Sequence, residues 1–185
     1  VTEYASMTFC KGVLCGKEVV IVRSGIGKVN AGICAQILVD KFDVNALINT
    51  GIAGSLNAKI DIGDVVVSKE ALHHDMDATE FGDPIGQVPR MDTLAFPADE
   101  RLIGLAKAAN EKVNPDIHTF VGTVASGDQF IASQEAKDKI VNNFHAYCTE
   151  MEGAAIAHAA YLNKVSYVII LSLIHISEPT RLQLI

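Results

Sequence analysis

The chain has 185 residues, 49% hydrophobic and 20% charged, enough for one domain with its own core and too few for two. Fifteen lysines and arginines against 22 aspartates and glutamates leave a net charge of −7, which argues against a nucleic-acid partner, whose phosphates call for clustered basic residues. The even spread of apolar residues excludes disorder, and no apolar run reaches the ~18 residues of a membrane span.

In chain order, Met7–Leu14 and Lys17–Arg23 are β-rich runs flanking Cys15-Gly16, the pattern of a hairpin. Val29–Lys41 carries Val29, Ile33, Ile37 and Leu38 at helical spacing. Ala46–Thr50 reads as a buried strand ending in a glycine-rich turn, and Asp64–Ser68 as another. The longest irregular stretch, Leu72–Phe96, holds Gly82, Pro84, Gly86 and Pro89, and a loop of that length is usually functional or interfacial. Pro97–Val113 reads as an amphipathic helix with Pro97 in its first turn. Val121–Ala125 follows as a strand, Ser133–Val141 as a helix capped by Ser133, Glu152–Leu162 as an Ala-rich helix and Val165–Ile170 as a buried strand. Strands alternating with helices, and apolar runs without alternation, predict an α/β fold whose mostly parallel sheet is covered on both faces.

The two ends stand apart. Val1 opens the chain, which is read as a piece at that end. Leu171–Arg181, LSLIHISEPTR, resembles over eleven residues the translation of a transposase adapter used in building sequencing libraries. The domain is therefore expected at residues 1–170, with 171–185 a read-through tail. The alternative is a strand continued over Leu171–Ile176 and a turn at Ser177-Glu178-Pro179. No leader opens the sequence, and Cys10, Cys15, Cys34 and Cys148 show no paired spacing, so the expected setting is a reducing cytoplasm.

Four strand ends carry candidate chemistry. Ser24-Gly25-Ile26-Gly27-Lys28 and Asn49-Thr50-Gly51-Ile52-Ala53-Gly54 suit either tight turns or the close approach of backbone to a ligand above the sheet. Ser126-Gly127-Asp128-Gln129-Phe130-Ile131 offers an aromatic platform for a flat ring, although Asp128 also suits a plain turn. Glu150-Met151-Glu152 sits at a strand-to-helix joint; in an extended stretch both carboxylates face one side and can accept from a vicinal diol. Glu152 in a helix's first turn would also be favoured by the dipole alone. His73-His74-Asp75-Met76-Asp77 looks like a metal cluster, but adjacent histidines do not readily share one ion, so no metal is expected.

Together SGIGKVNA (24–31), INTGIAGSL (48–56), IGDVVVSKEALHHDMDATEFG (62–82), SGDQFI (126–131) and EMEGAAIAH (150–158) resemble segments of the nucleoside phosphorylase/hydrolase superfamily, in that family's order, and within it the 5′-methylthioadenosine/S-adenosylhomocysteine nucleosidases. The resemblance implies a three-layer α/β/α sandwich with a mixed, mostly parallel central sheet, a cytoplasmic homodimer, and cofactor-free hydrolysis of the N-glycosidic bond in methionine salvage. It implies that Phe130 stacks on adenine, the Ile131 backbone bonds its edge, and Ala53 and Gly54 line the purine floor. Met151 would pack on the ribose beside Glu150, Glu152 would hold its hydroxyls, and Ile26 would lie near the sugar and the attacking water. Phe81 and Pro89 match residues lent across the dimer interface. The family's general base, a Glu, belongs before Val1, and its general acid, an Asp, belongs where LSLIHISEPTR stands; Leu171 replaces an Arg. The 185 residues alone are therefore expected to be nearly inactive. A purine nucleoside phosphorylase and a non-catalytic nucleoside-binding domain are the alternatives. The first is disfavoured by thin basic residues, with Gly63 where phosphorylases place an Arg.

Overall fold

The computed structural model describes residues 1–174. Strands β1 (Thr2–Tyr4), β2 (Met7–Leu14) and β3 (Lys17–Val22) form a small antiparallel sheet, β2 and β3 turning at Cys15-Gly16, both left-handed as a tight hairpin requires. Met7 and Phe9 pack on helix α1 (Lys28–Phe42) through Cys34, with the Phe9 and Phe42 rings stacked at 5.2 Å.

A second sheet holds β4 (Ala46–Ser55), β5 (Val65–His73), β6 (Phe96–Pro97), β7 (Thr119–Ser126), β8 (Cys148–Glu150) and β9 (Ser166–Ile174), in the order β6-β5-β7-β8-β4-β9. The β5–β7, β7–β8 and β4–β9 pairs are parallel, and the β4–β8, β5–β6 and β5–β9 pairs antiparallel. Since β9 pairs with both β4 and β5, the sheet curls round and closes on itself.

Helices α2 (Glu100–Val113), α3 (Gln134–Phe144) and α4 (Gly153–Asn163) complete the layers. Val66, Ile169 and Leu171 bury against Ala154, Ala157 and Ala160 of α4, while Val65, Val67 and Val168 bury against Leu102 of α2. Successive residues of one strand thus meet helices on opposite faces, which is why these strands read as unbroken apolar runs. The Ala-rich surface of α4 also lets α1 lie against it.

Three expectations need correcting. β4 runs to Ser55, so Gly51-Ile52-Ala53-Gly54 is strand rather than turn; β9 pairs with it from Ala46↔Ser166 to Gly54↔Ile174. Pro97 belongs to β6, opposite Glu70 at the sheet's edge where a missing N–H is tolerated; α2 starts at Glu100, with the Asp99 carboxylate accepting from Leu102 N–H at 2.9 Å. β9 does not stop at Ile170 but continues to Ile174 with Leu171 and Leu173 fully buried, which covers the first four residues of the expected tail. The remainder of that expected tail, 175–185, lies outside the described residues. Ser133 caps α3 as expected, its hydroxyl accepting from Ala136 N–H at 3.3 Å.

Candidate active site

The β3–α1 turn, the ends of β5 and β7, and the β8–α4 joint meet at one end of the closed sheet, tied by backbone N–H groups that donate to carboxylates. Gly27 N–H donates to Glu152 Oε1 at 2.8 Å. Gly27 has φ +92°, and a Cβ there would lie 3.2 Å from Asp128 Oδ1, so the position suits only glycine. The next amide, Lys28 N–H, donates to Asp128 Oδ1 at 2.8 Å. The Lys28 ammonium lies 2.6 Å from Asp75 Oδ1, and Asp75 Oδ2 accepts from Asp128 N–H at 2.9 Å. Burial pushes the Asp75 carboxyl up, but the Lys28 and Asp128 hydrogen bonds and the Lys28 charge hold it below its ordinary value.

Glu150 is spoken for. Its Oε1 accepts from the Ser126 hydroxyl, and its Oε2 accepts from Glu152 N–H at 3.0 Å and Gly153 N–H at 2.7 Å. Ser126 Oγ in turn accepts from Ala154 N–H at 2.7 Å. The amides that open α4 are thereby satisfied from outside the helix. Burial raises the Glu150 carboxyl above its ordinary value despite these bonds. The expected alternation of Glu150 and Glu152 is corrected by the strand's length: β8 ends at Glu150, and Glu152 (φ −130°, ψ −41°) starts the helix. The two carboxylates therefore differ in office. Glu152 keeps its second oxygen without a hydrogen bond among the described residues.

A cavity of about 1710 Å³ opens between β3, α1 and β4 and reaches this end of the sheet at Ile26, Ile52 and Phe130. Ile26 is 75% exposed and Phe130 58% exposed, so both apolar side chains stand bare at its mouth. Ala53 and Gly54 lie buried in β4, and Ile131 is buried among Leu72, Ala125, Ile140 and Phe144. Met151 is half-buried at the joint; neither it nor Glu152 lines the cavity. Phe81, 90% exposed, and Pro89, also exposed, sit on the irregular stretch between β5 and β6, away from the cavity lining.

The family model described as the phosphorylase superfamily matches residues 1–181. The 5′-methylthioadenosine/S-adenosylhomocysteine nucleosidase of Colwellia psychrerythraea is 42% identical over 177 residues, covering 93% of this chain and 72% of that one. The Staphylococcus carnosus nucleosidase is 42% identical over 166 residues, covering 89% and 72%. The chain belongs to this nucleosidase family. Among solved structures, the Colwellia nucleosidase in complex with adenine has a TM-score of 0.90 at 43% identity, covering 95% of this chain and 73% of that one. The Neisseria meningitidis nucleosidase in complex with methylthio-immucillin-A gives 0.90 at 36% identity, covering 94% and 75%. Futalosine hydrolase of Helicobacter pylori gives 0.88 at 32% identity, covering 93% and 72%.

Within this nucleosidase chain the His73–Asp77 stretch divides among three tasks. His73 is buried, with Nε2 3.4 Å from His158 Nδ1, and Phe96 stacks on His158 at 4.5 Å. Burial above all, with Lys28 and His158 adding, lowers the His73 pKa to about 4. Asp75 faces Lys28, and Asp77 caps its own turn through Thr79.

Sequence reading missed Lys28, Asp75 and Ser126. One signal was there to use: Lys28 opens α1, where the helix dipole disfavours a cation and the first turn offers no acid, so it needs anions from elsewhere. No signal in the sequence singles out Ser126.

Proposed function

We propose that the protein hydrolyses the N-glycosidic bond of 5′-methylthioadenosine and S-adenosylhomocysteine, releasing adenine and the thioribose, as a cytoplasmic homodimer serving methionine salvage. The observation that carries the reading is the Glu152 carboxylate, fixed by Gly27 N–H through one oxygen and left with the other free at the meeting of the glycine-bearing strand ends. Breaking the bond at C1′ builds positive charge on the ribose, and a carboxylate held at the 2′- and 3′-hydroxyls stabilises that charge without reorganising. Phe130 supplies the stacking face for adenine, the Ile131 backbone its edge contact, and Ala53 and Gly54 the floor beneath it. Met151 packs on the sugar, and Ile26 screens the position of the attacking water. Phe81 and Pro89, both solvent-facing, serve the alkylthio pocket of a neighbouring subunit; their exposure supports that role. Glu150 acts through the α4 amides it binds rather than through the diol.

Two proton transfers remain, one to N7 of adenine and one from water, each worth about 10²–10⁴-fold. The resemblance assigns the first to an Asp and the second to a Glu.

The test is calorimetric binding of adenine and of a non-hydrolysable methylthioadenosine analogue, with and without phosphate. The reading predicts binding of both, phosphate-independent, with Glu152→Gln weakening the analogue by about tenfold or more and sparing adenine. Failure to bind either ligand, or phosphate-dependent release of 5-methylthioribose 1-phosphate from methylthioadenosine itself, overturns it.

A further inference from the structure

From the end of β5, Asp75 reaches two loops at once. Its Oδ1 takes the Lys28 ammonium at 2.6 Å and its Oδ2 takes Asp128 N–H at 2.9 Å, while Asp128 Oδ1 returns to Lys28 N–H at 2.8 Å. The three residues close a ring that spans the β3–α1 turn, the end of β5 and the end of β7. Side chains on both sides of the ion pair are largely shielded, 20% exposed for Lys28 and 18% for Asp75, so solvent screens it weakly. Asp128 is two residues from Phe130, and Lys28 follows the glycine whose amide holds Glu152. The adenine platform and the ribose carboxylate are therefore linked through this ring, with Gly127 N–H adding a bond to Glu150 C=O at 3.2 Å.

A cation at the first position of a helix is unfavourable in itself. Here Asp75 from the end of β5 pairs with the ammonium and Asp128 from the end of β7 takes the Lys28 amide, an arrangement costly for local helix stability and useful for registering the loops. We propose that Asp75 is a positioning residue of the nucleoside site, holding the Asp128–Phe130 loop and the Gly27 amide at the spacing that adenine and ribose require at once. This rests on the nucleoside reading above.

The test compares the wild-type chain with Asp75→Asn and Asp75→Glu in calorimetric binding of adenine and the methylthioadenosine analogue. Thermal unfolding and amide hydrogen exchange at Gly27, Lys28 and Asp128 are followed alongside. Asp75→Asn is expected to weaken both ligands by about tenfold, the worth of one charge-assisted bond. It should also speed exchange at those three amides, and Asp75→Glu should restore part of both effects. A merely structural role would lower the melting temperature and leave the affinity of the folded protein unchanged; that outcome overturns the proposal, as does unaltered amide exchange. A wild-type chain that binds neither ligand overturns the nucleoside reading and this inference with it. Wild-type binding that survives Asp75→Asn overturns this inference alone.

Discussion

The cluster of hydrogen bonds at the strand ends and the groove between β3 and β4 are built on opposite principles. In the cluster, amides of Gly27, Lys28, Asp128, Glu152 and Gly153 each end on a carboxylate oxygen, and the carboxylates come from three different loops. In the groove, Val20, Val22, Leu38 and Leu47 line a wide apolar slot. Among the described residues β3 pairs only with β2, and β4 from Ala46 to Ala53 only with β9. The two regions meet at Ile26 and Phe130, which line the groove and flank the cluster. Volume alone does not make a site; convergent donors and acceptors that need no rearrangement do.

The contrast breaks most readily at Glu150. Glu150→Ala leaves a buried hydroxyl and two helix amides without their acceptor and should cost about 3 kcal/mol in urea unfolding. A loss under about 1 kcal/mol would mean the cluster is held by packing, as the groove is.

Protonation offers a second lever of similar size. The His73 pKa falls from 6.5 unfolded to about 4 folded, so between those values the unfolded chain binds the proton and the folded one does not. Stability is therefore lost as pH falls from 6.5 towards 4, by about 3 kcal/mol in full. Glu150, raised by burial, pulls the other way, since its folded form is penalised as pH rises above the ordinary carboxylate range. The difference between wild type and His73→Phe in urea midpoint against pH isolates the histidine: the wild-type slope should be steeper by about one proton over that window.

Helix ends extend the comparison: α1 ends at the groove, which Phe42 and Asp43 line, and α4 ends away from it. Each closes on a left-handed non-glycine residue, Lys164 (φ 56°) and Asp43 (φ 51°). Lys164→Gly and Asp43→Gly should each stabilise by about 1 kcal/mol, equally at both ends, as thermal melts would show. The smallest effect belongs to the groove wall: Ile48, 62% exposed, should change stability by under about 0.5 kcal/mol as Ile48→Ser. A loss as large as that of Glu150→Ala would mean that the slot is packed after all.

Much of this was legible in the residues. Period and punctuation placed the hairpin, α1, α3 and α4 closely, since each has a local cause: left-handed turn residues, apolar spacing, a Ser cap. Misreadings arose where a distant partner decides. The glycines of β4 look like a turn until β9 is laid beside them, and Pro97 looks like a helix start until Glu70 is found opposite it. Glu150-Met151-Glu152 was legible as a strand-to-helix joint, whereas the separate hydrogen bonding of Glu150 depends on where β8 stops. Asp75 could be paired with Lys28 only once residues 47 positions apart were brought together.

Sharing β9 between β4 and β5 has a consequence for biosynthesis. Both partners leave the ribosome well before Ser166–Ile174, and neither can complete its ladder with β9 until that strand arrives. Translation proceeds at about 5–20 residues per second, so the nascent chain spends several seconds with a ring that cannot shut, its apolar strand edges exposed to chaperones and to other nascent chains.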